Sequence, residues 1–360
     1  MRAWMVIAAL LAAPATAVAG ELPGQAALAE LVARQPDPLA IHVTDGRDTV
    51  SDARAPLTAD TPMRIASNTK TFVAATALRL WERKRLDLDA PIARLLKPET
   101  DALLRQDGYR TDRITVRQLL SHSGGLFDLG SDPRYHAYLR PGRPFHLSRK
   151  DQVRLMTEYA DPQSAPGTRY QYSDGDYILI GEIIERITRL PLATAVRREL
   201  RFDRLGLRST WWEDVEPQPR GTPRRARQFI GDNDVTDVDA SFDLYGGGGL
   251  VASPRDLATF FSALFGGRVF RDRRTLDMML WKGPHEGADT YRLGIFVRHT
   301  PCGDIWWHSG FWGTYAGYAP ATGIALAAFS DHQAGLKPVT QDLPGLFFPA
   351  GCAAAQKRPL

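Results

Sequence analysis

The sequence predicts an α+β fold: one antiparallel sheet built from both ends of the chain, flanked by helices, with a mostly helical region inserted between. Three observations carry this. Strand-like segments stand near the beginning, helical spacing and cap signals fill the middle, and beyond Tyr291 four segments alternate or run apolar between Gly, Pro and Asp breaks. The 44% hydrophobic content is enough to bury a sizeable core. There is no internal repeat and no low-complexity linker. A single domain is therefore expected over 20–352, with its sheet part at about 37–66 and 288–335, its helical part at about 67–287, and a short tail at 353–360.

Taken in order, Arg2, the apolar run Trp4 to Ala13 and the small residues Ala17-Val18-Ala19 before Gly20 form a cleavable secretory signal over 1–19. A secreted or periplasmic protein is expected. The apolar run is too short to span a bilayer, and no cysteine follows the cleavage point to carry a lipid, so no stable membrane anchor is expected. Leu39 to Val43 and Thr49 to Asp52 read as strands around the Asp45-Gly46 turn, and Met63 to Ile65 delivers the chain to Ser67. From Asn68 to Lys84, Phe72, Val73, Ala77, Leu80 and Trp81 recur at helical spacing and charges fill 82–85, which predicts an amphipathic helix.

Thr115 with Gln118, and Ser253 with Asp256, each present a hydroxyl cap and a side chain three residues later able to reach back; Pro254 strengthens the second start. Helices are predicted over Ile178 to Ile187 and Leu192 to Phe202, and strands over Leu293 to His299, Ile305 to His308, Thr314 to Ala319 and Gly323 to Ser330. Cys302 and Cys352 could pair in an oxidising compartment or remain two thiols.

The net charge of +4 is spread over 45 basic and 41 acidic residues without a basic block, so no nucleic-acid partner is expected. The eight histidines form no His-x-His or His-Glu-x-x-His cluster, which argues against a metal site, and no cofactor is expected. Gly246 to Gly249 lacks the spacing and the Lys-Ser/Thr of a phosphate loop and reads as a tight turn.

Three segments carry chemistry. Ser67-Asn-Thr-Lys70 opens the strongest helix, so both side chains sit on one face, where a helix N-terminus and a lysine in a dry site would activate a hydroxyl. The motif is weak alone. Tyr172-Ser-Asp174 follows Pro166-Gly167-Thr168 and precedes an apolar helix, which places Tyr172 on a loop. His308-Ser309-Gly310 ends a Trp-Trp strand and leads into Phe311-Trp-Gly313; its glycine would let substrate approach the backbone.

In this order the segments resemble the serine penicillin-binding and class C β-lactamase family, with its D-alanyl-D-alanine carboxypeptidase, esterase and D-aminopeptidase relatives. The segments 114–126, 203–210 and 247–256 are similar to family segments in family order, so the resemblance runs from about Leu39 to Ser330. It implies a β-lactamase/DD-peptidase-like fold and an acyl-enzyme on Ser67. Lys70 and Tyr172 would share the proton transfers, and the N–H groups of Ser67 and Phe311 would hold the oxyanion. His308, Ser309, Gly310 and Asp174 would line the substrate site. The substrate would be a small molecule or a peptidoglycan peptide with a peptide, ester or β-lactam carbonyl. A tyrosine near two cations is expected to titrate lower than usual.

Two residues depart from the family pattern. Asp174 stands where Asn is common, so a carboxylate would face Lys70 and favour its charged form. His308 replaces the lysine of typical β-lactamases and is similar to the carboxypeptidase and esterase branches, which points away from antibiotic hydrolysis. His122, within Leu-Leu-Ser-His-Ser-Gly-Gly, reads as a packed or hydrogen-bonded histidine, and Trp306, Trp307 and Trp312 as groove or core residues. The alternative function is a non-catalytic penicillin-binding or sensor module with the same fold, against which the intact Ser67, Lys70 and Tyr172 argue. A Ser-His-Asp hydrolase lacks its Gly-x-Ser-x-Gly elbow here.

Overall fold

A computed structural model describes residues 21–140 and 144–352. The expected secretory signal at 1–19 and the tail at 353–360 lie outside the described residues. The strands are β1 (Leu39–Thr44), β2 (Thr49–Ala53), β3 (Met63–Arg64), β4 (Trp211–Trp212), β5 (Phe229–Ile230), β6 (Asn233–Asp234), β7 (Leu250–Ala252), β8 (Phe296–Thr300), β9 (Gly303–Gly310), β10 (Thr314–Ala319) and β11 (Ile324–Ser330). The main sheet is antiparallel and runs β2-β1-β11-β10-β9-β8, joining the two chain ends at the β1/β11 ladder, where Ile41 stands opposite Ala328.

Strands β1, β10 and β11 are buried along their whole length because helices cover both faces of the sheet. On one face, the Gln25–Ala33 helix and the Leu343–Phe347 helix pack Leu28, Leu31 and Phe347 against Ile41, Leu326 and Ala328. On the other, the Pro254–Phe265 helix brings Phe261 and Phe265 against Ala40, Ala327 and Phe329. The edge strands β2 and β8 are more exposed and carry Asp52, Arg298 and His299, charges and polar groups that discourage edge-to-edge pairing. Cys302 and Cys352 are joined by a disulfide that ties the end of the described chain to the β8–β9 turn.

Four expectations change. The helix after Ser67, Thr69–Glu82, is buried on every side from Thr69 to Leu80 rather than amphipathic, because it lies in the centre of the helical region. Strand β3 leaves the main sheet to pair with β7, in a small sheet ordered β3-β7-β4. The β8 ladder starts only at Phe296, since Gly294 adopts φ +90 and breaks the extended run. Thr115 and Gln118 close a capping box, but Asp256 turns away from Ser253 to accept from Ser209 N and Thr210 Oγ1, at 2.6 and 2.8 Å.

Candidate active site

Ser67 sits in a tight turn, Ala66–Asn68, that leads directly into the Thr69–Glu82 helix. Ala66 has φ +42, a left-handed backbone that a non-glycine residue adopts only when its surroundings impose it. They do so here through Ile65, whose carbonyl accepts from Asn68 Nδ2 at 3.1 Å and from Thr314 Oγ1 at 3.2 Å. A Cβ on Gly310 would lie 2.1 Å from the same carbonyl. The glycine at the end of β9 therefore makes room for the turn that carries Ser67, where the sequence had suggested room for substrate.

One helical turn on, Lys70 is fully buried and donates to three acceptors: Ser67 Oγ at 2.9 Å, Asp174 Oδ1 at 2.6 Å and the Gly247 carbonyl at 2.6 Å. Three acceptors use every proton of an ammonium. Asp174 is the first residue of the Asp174–Thr188 helix, capped by Ser173, and its N–H donates to Asp128 Oδ1 at 3.0 Å. The predicted Ile178–Ile187 helix thus begins four residues earlier, which places Asp174 at an N-terminus suited to a carboxylate. Burial, and then the negative charge of Asp174, push the Asp128 carboxyl up to about 6. Gly247 and Asp128 were not identified from the sequence. The glycine run was the only available signal, and it marks close packing: a Cβ on Gly246 would lie 2.4 Å from the Tyr177 carbonyl.

Tyr172 precedes the same helix on a loop, with Lys70 Nζ 5.0 Å from its ring centre and its side chain near Ser67. Its phenol is pushed well above the ordinary value, chiefly by burial and then by the Asp174 carboxylate, while the Ser67 hydroxyl acts in the opposite sense. This reverses the expected lowering because burial dominates, and His308 adds no positive charge to oppose it. Burial, and then Lys70, hold the His308 imidazole down to about 3, so it supplies no second cation. Its Nδ1 lies 2.8 Å from the Ser309 carbonyl and its Nε2 3.1 Å from Tyr291 Oη, a pattern that puts the ring proton on Nδ1.

The β9 residues divide accordingly. His308 is buried, Ser309 is exposed, and Gly310 and Phe311 are half-buried beside the Ser67 turn. Phe311 packs on Trp312 with ring centres 4.9 Å apart. Trp312 is held by Asp243 Oδ2 at 3.0 Å. Trp306 and Trp307 occupy opposite faces of β9, one against Phe265 and Tyr318, the other against Phe296 and Tyr315. The structure thus gathers Ser67, Lys70, Tyr172 and Asp174 into one cluster with the Gly310–Phe311 backbone beside it.

An α/β domain of this architecture belongs to a serine hydrolase class, as comparison with known proteins shows. The chain belongs to the beta-lactamase family, whose model matches residues 25–347. A D-stereospecific amidohydrolase from Streptomyces sp. is similar in structure, with TM-score 0.78 and 26% identity over 91% of this chain and 98% of that one. A D-amino acid amidase from Ochrobactrum anthropi SV3 gives TM-score 0.74 and 25% identity over the same shares. Esterase EstB from Burkholderia gladioli is 36% identical over 179 residues, 48% of this chain and 44% of its own length. The chain therefore matches less than half of that esterase.

Proposed function

We propose that the chain is an exported hydrolase that forms an acyl-enzyme on Ser67, acting on small esters or on amides and peptides of D-amino acids in preference to β-lactams. The observation that carries it is the 2.9 Å contact between Ser67 Oγ and Lys70 Nζ in a site open enough to leave Ser67 partly exposed. The names of the amidohydrolase, the amidase and the esterase support the substrate classes. Export is supported by the leader-like segment at 1–19 and by the disulfide, a bond kept in oxidising compartments.

In this mechanism Lys70 first gives one of its three ammonium protons to solvent, and the free amine then takes the Ser67 proton as Oγ bonds to the carbonyl carbon. Tyr172, which keeps its proton at neutral pH, gives it to the leaving group and is reprotonated by Lys70. The net movement is one proton from Ser67 to the leaving group. Water repeats the sequence in reverse to release the acid, and the Ser67 and Phe311 N–H groups face the oxyanion in both halves. The test is turnover of a nitrophenyl ester together with labelling by a fluorophosphonate. Ser67→Ala is expected to abolish both while leaving the melting temperature nearly unchanged. Retained labelling refutes the nucleophile, and a labelled wild type that turns over no ester refutes the hydrolase in favour of a binding module.

A further inference from the structure

We propose that His122 is a positioning residue for Tyr172, holding the phenol at Ser67 by gripping the chain on both sides of it. The inference deepens the reading of Tyr172 as a proton-transfer group and rests on it. Three contacts carry it. The His122 carbonyl accepts from Gln171 N at 2.7 Å, its Nδ1 accepts from Ser173 N at 3.3 Å, and its ring lies 4.3 Å from the Tyr172 ring, centre to centre. The residues before and after Tyr172 thus both hang on one histidine, whose ring also backs the phenol.

Two features show that packing alone does not account for this residue. His122 adopts φ +53, a left-handed backbone that a ring-bearing side chain rarely takes. Its Nε2 is buried and has no hydrogen-bond partner among the described residues, a cost of about 1–3 kcal/mol that an apolar residue would avoid.

The ring itself is fixed from behind. Asp176 Oδ2 lies 2.8 Å from Nδ1, with both side chains fully buried and Tyr177 and Tyr291 at ring distances of 5.1 and 4.7 Å. With the Asp176 carboxyl protonated, Nδ1 is an acceptor whose single lone pair is shared between the carboxyl O–H at 2.8 Å and the longer Ser173 N–H contact at 3.3 Å. Burial agrees, pushing Asp176 well up and His122 well down. A neutral pair orders the Tyr172 loop without setting a second cation beside Lys70.

The test is a double-mutant cycle in the full chain on a nitrophenyl ester, after Ser67-dependent turnover has been established against Ser67→Ala. His122→Gly accepts the left-handed backbone without strain and is expected to lower kcat by about 100-fold with KM little changed. His122→Asn, which tolerates the same backbone and places an amide oxygen where Nδ1 stood, is expected to recover activity to within about tenfold of wild type. In a Tyr172→Phe background, His122→Gly is expected to cost less than about threefold further, because the two residues act as a unit. Asp176→Asn still donates to Nδ1 and is expected to keep at least about a third of the activity.

Additive losses in the cycle, or no recovery by His122→Asn, overturn the positioning role, since a residue needed only for folding would lose activity equally in both backgrounds. Should His122→Gly fail to fold, Asp176→Asn and His122→Asn decide: a loss of about 100-fold in both overturns it. Absence of Ser67-dependent turnover overturns the reading of the site instead.

Discussion

Asp174 is the acceptor of Lys70 that a single substitution can neutralise without moving an atom of its outline. Its carboxylate, 2.6 Å away, stabilises the ammonium, whereas the Gly247 carbonyl and Ser67 hydroxyl remain in any variant. Asp174→Asn removes that charge from beside Lys70, and the acidic limb of kcat/KM is expected to move downward. A profile on one ester between about pH 5 and about pH 10, with acylation of Ser67 followed directly, checks this. An unmoved limb, or one shifted upward, means that Lys70 is not the titrating base. Asp128→Asn is the control, because that carboxyl is raised to about 6 and titrates in the same range. Ser67, Lys70, Tyr172 and Asp174 were legible because each is named by its side chain in a motif. The Gly247 carbonyl and the grip of His122 on residues 171 and 173 were not, since backbone atoms carry no residue signature.

At the scale of elements, the junction of β9 with the Ser67 turn is where the sheet meets the helical region. Ile65, Asn68, Thr314 and Gly310 form it, and a Cβ at Gly310 would also lie 2.4 Å from Thr314 Oγ1. Gly310→Ala therefore forces the turn and the strand apart. It is expected to destabilise the protein by about 1–3 kcal/mol, the usual cost of overpacking, and to lower kcat as Ser67 and the Phe311 N–H separate. Denaturant unfolding and ester turnover measure the two effects, and a variant that keeps both stability and kcat would show that the junction yields freely. The strands β10 and β11 were read from the sequence almost to the residue, because alternation and turn residues are local signals. The Thr69–Glu82 helix was read correctly as a helix but not as a buried one, because the residues that surround it come from helices distant in sequence.

For the whole molecule, the disulfide closes a span of 50 residues and ties the end of the described chain to the β8–β9 turn, beside the sheet face covered by the Gln25–Ala33 and Leu343–Phe347 helices. Reduction, or Cys302→Ser, is expected to cost about 2–4 kcal/mol of stability, seen as a lower melting temperature, with little change in kcat at 25 °C. Loss of turnover in the folded variant would instead tie that face to the site. The sequence by itself determined the order of elements, the sheet drawn from both chain ends and the identity of the polar residues in the cluster, since periodicity, caps and motifs act over a few neighbours. Tertiary structure alone decided the charge states of Tyr172 and His308. Whether Tyr172 is raised or lowered depends on burial and on the Asp174, Asp128 and Asp176 carboxyl groups, whether His308 is a cation depends on burial and on Lys70, and desolvation is a property of the packed whole.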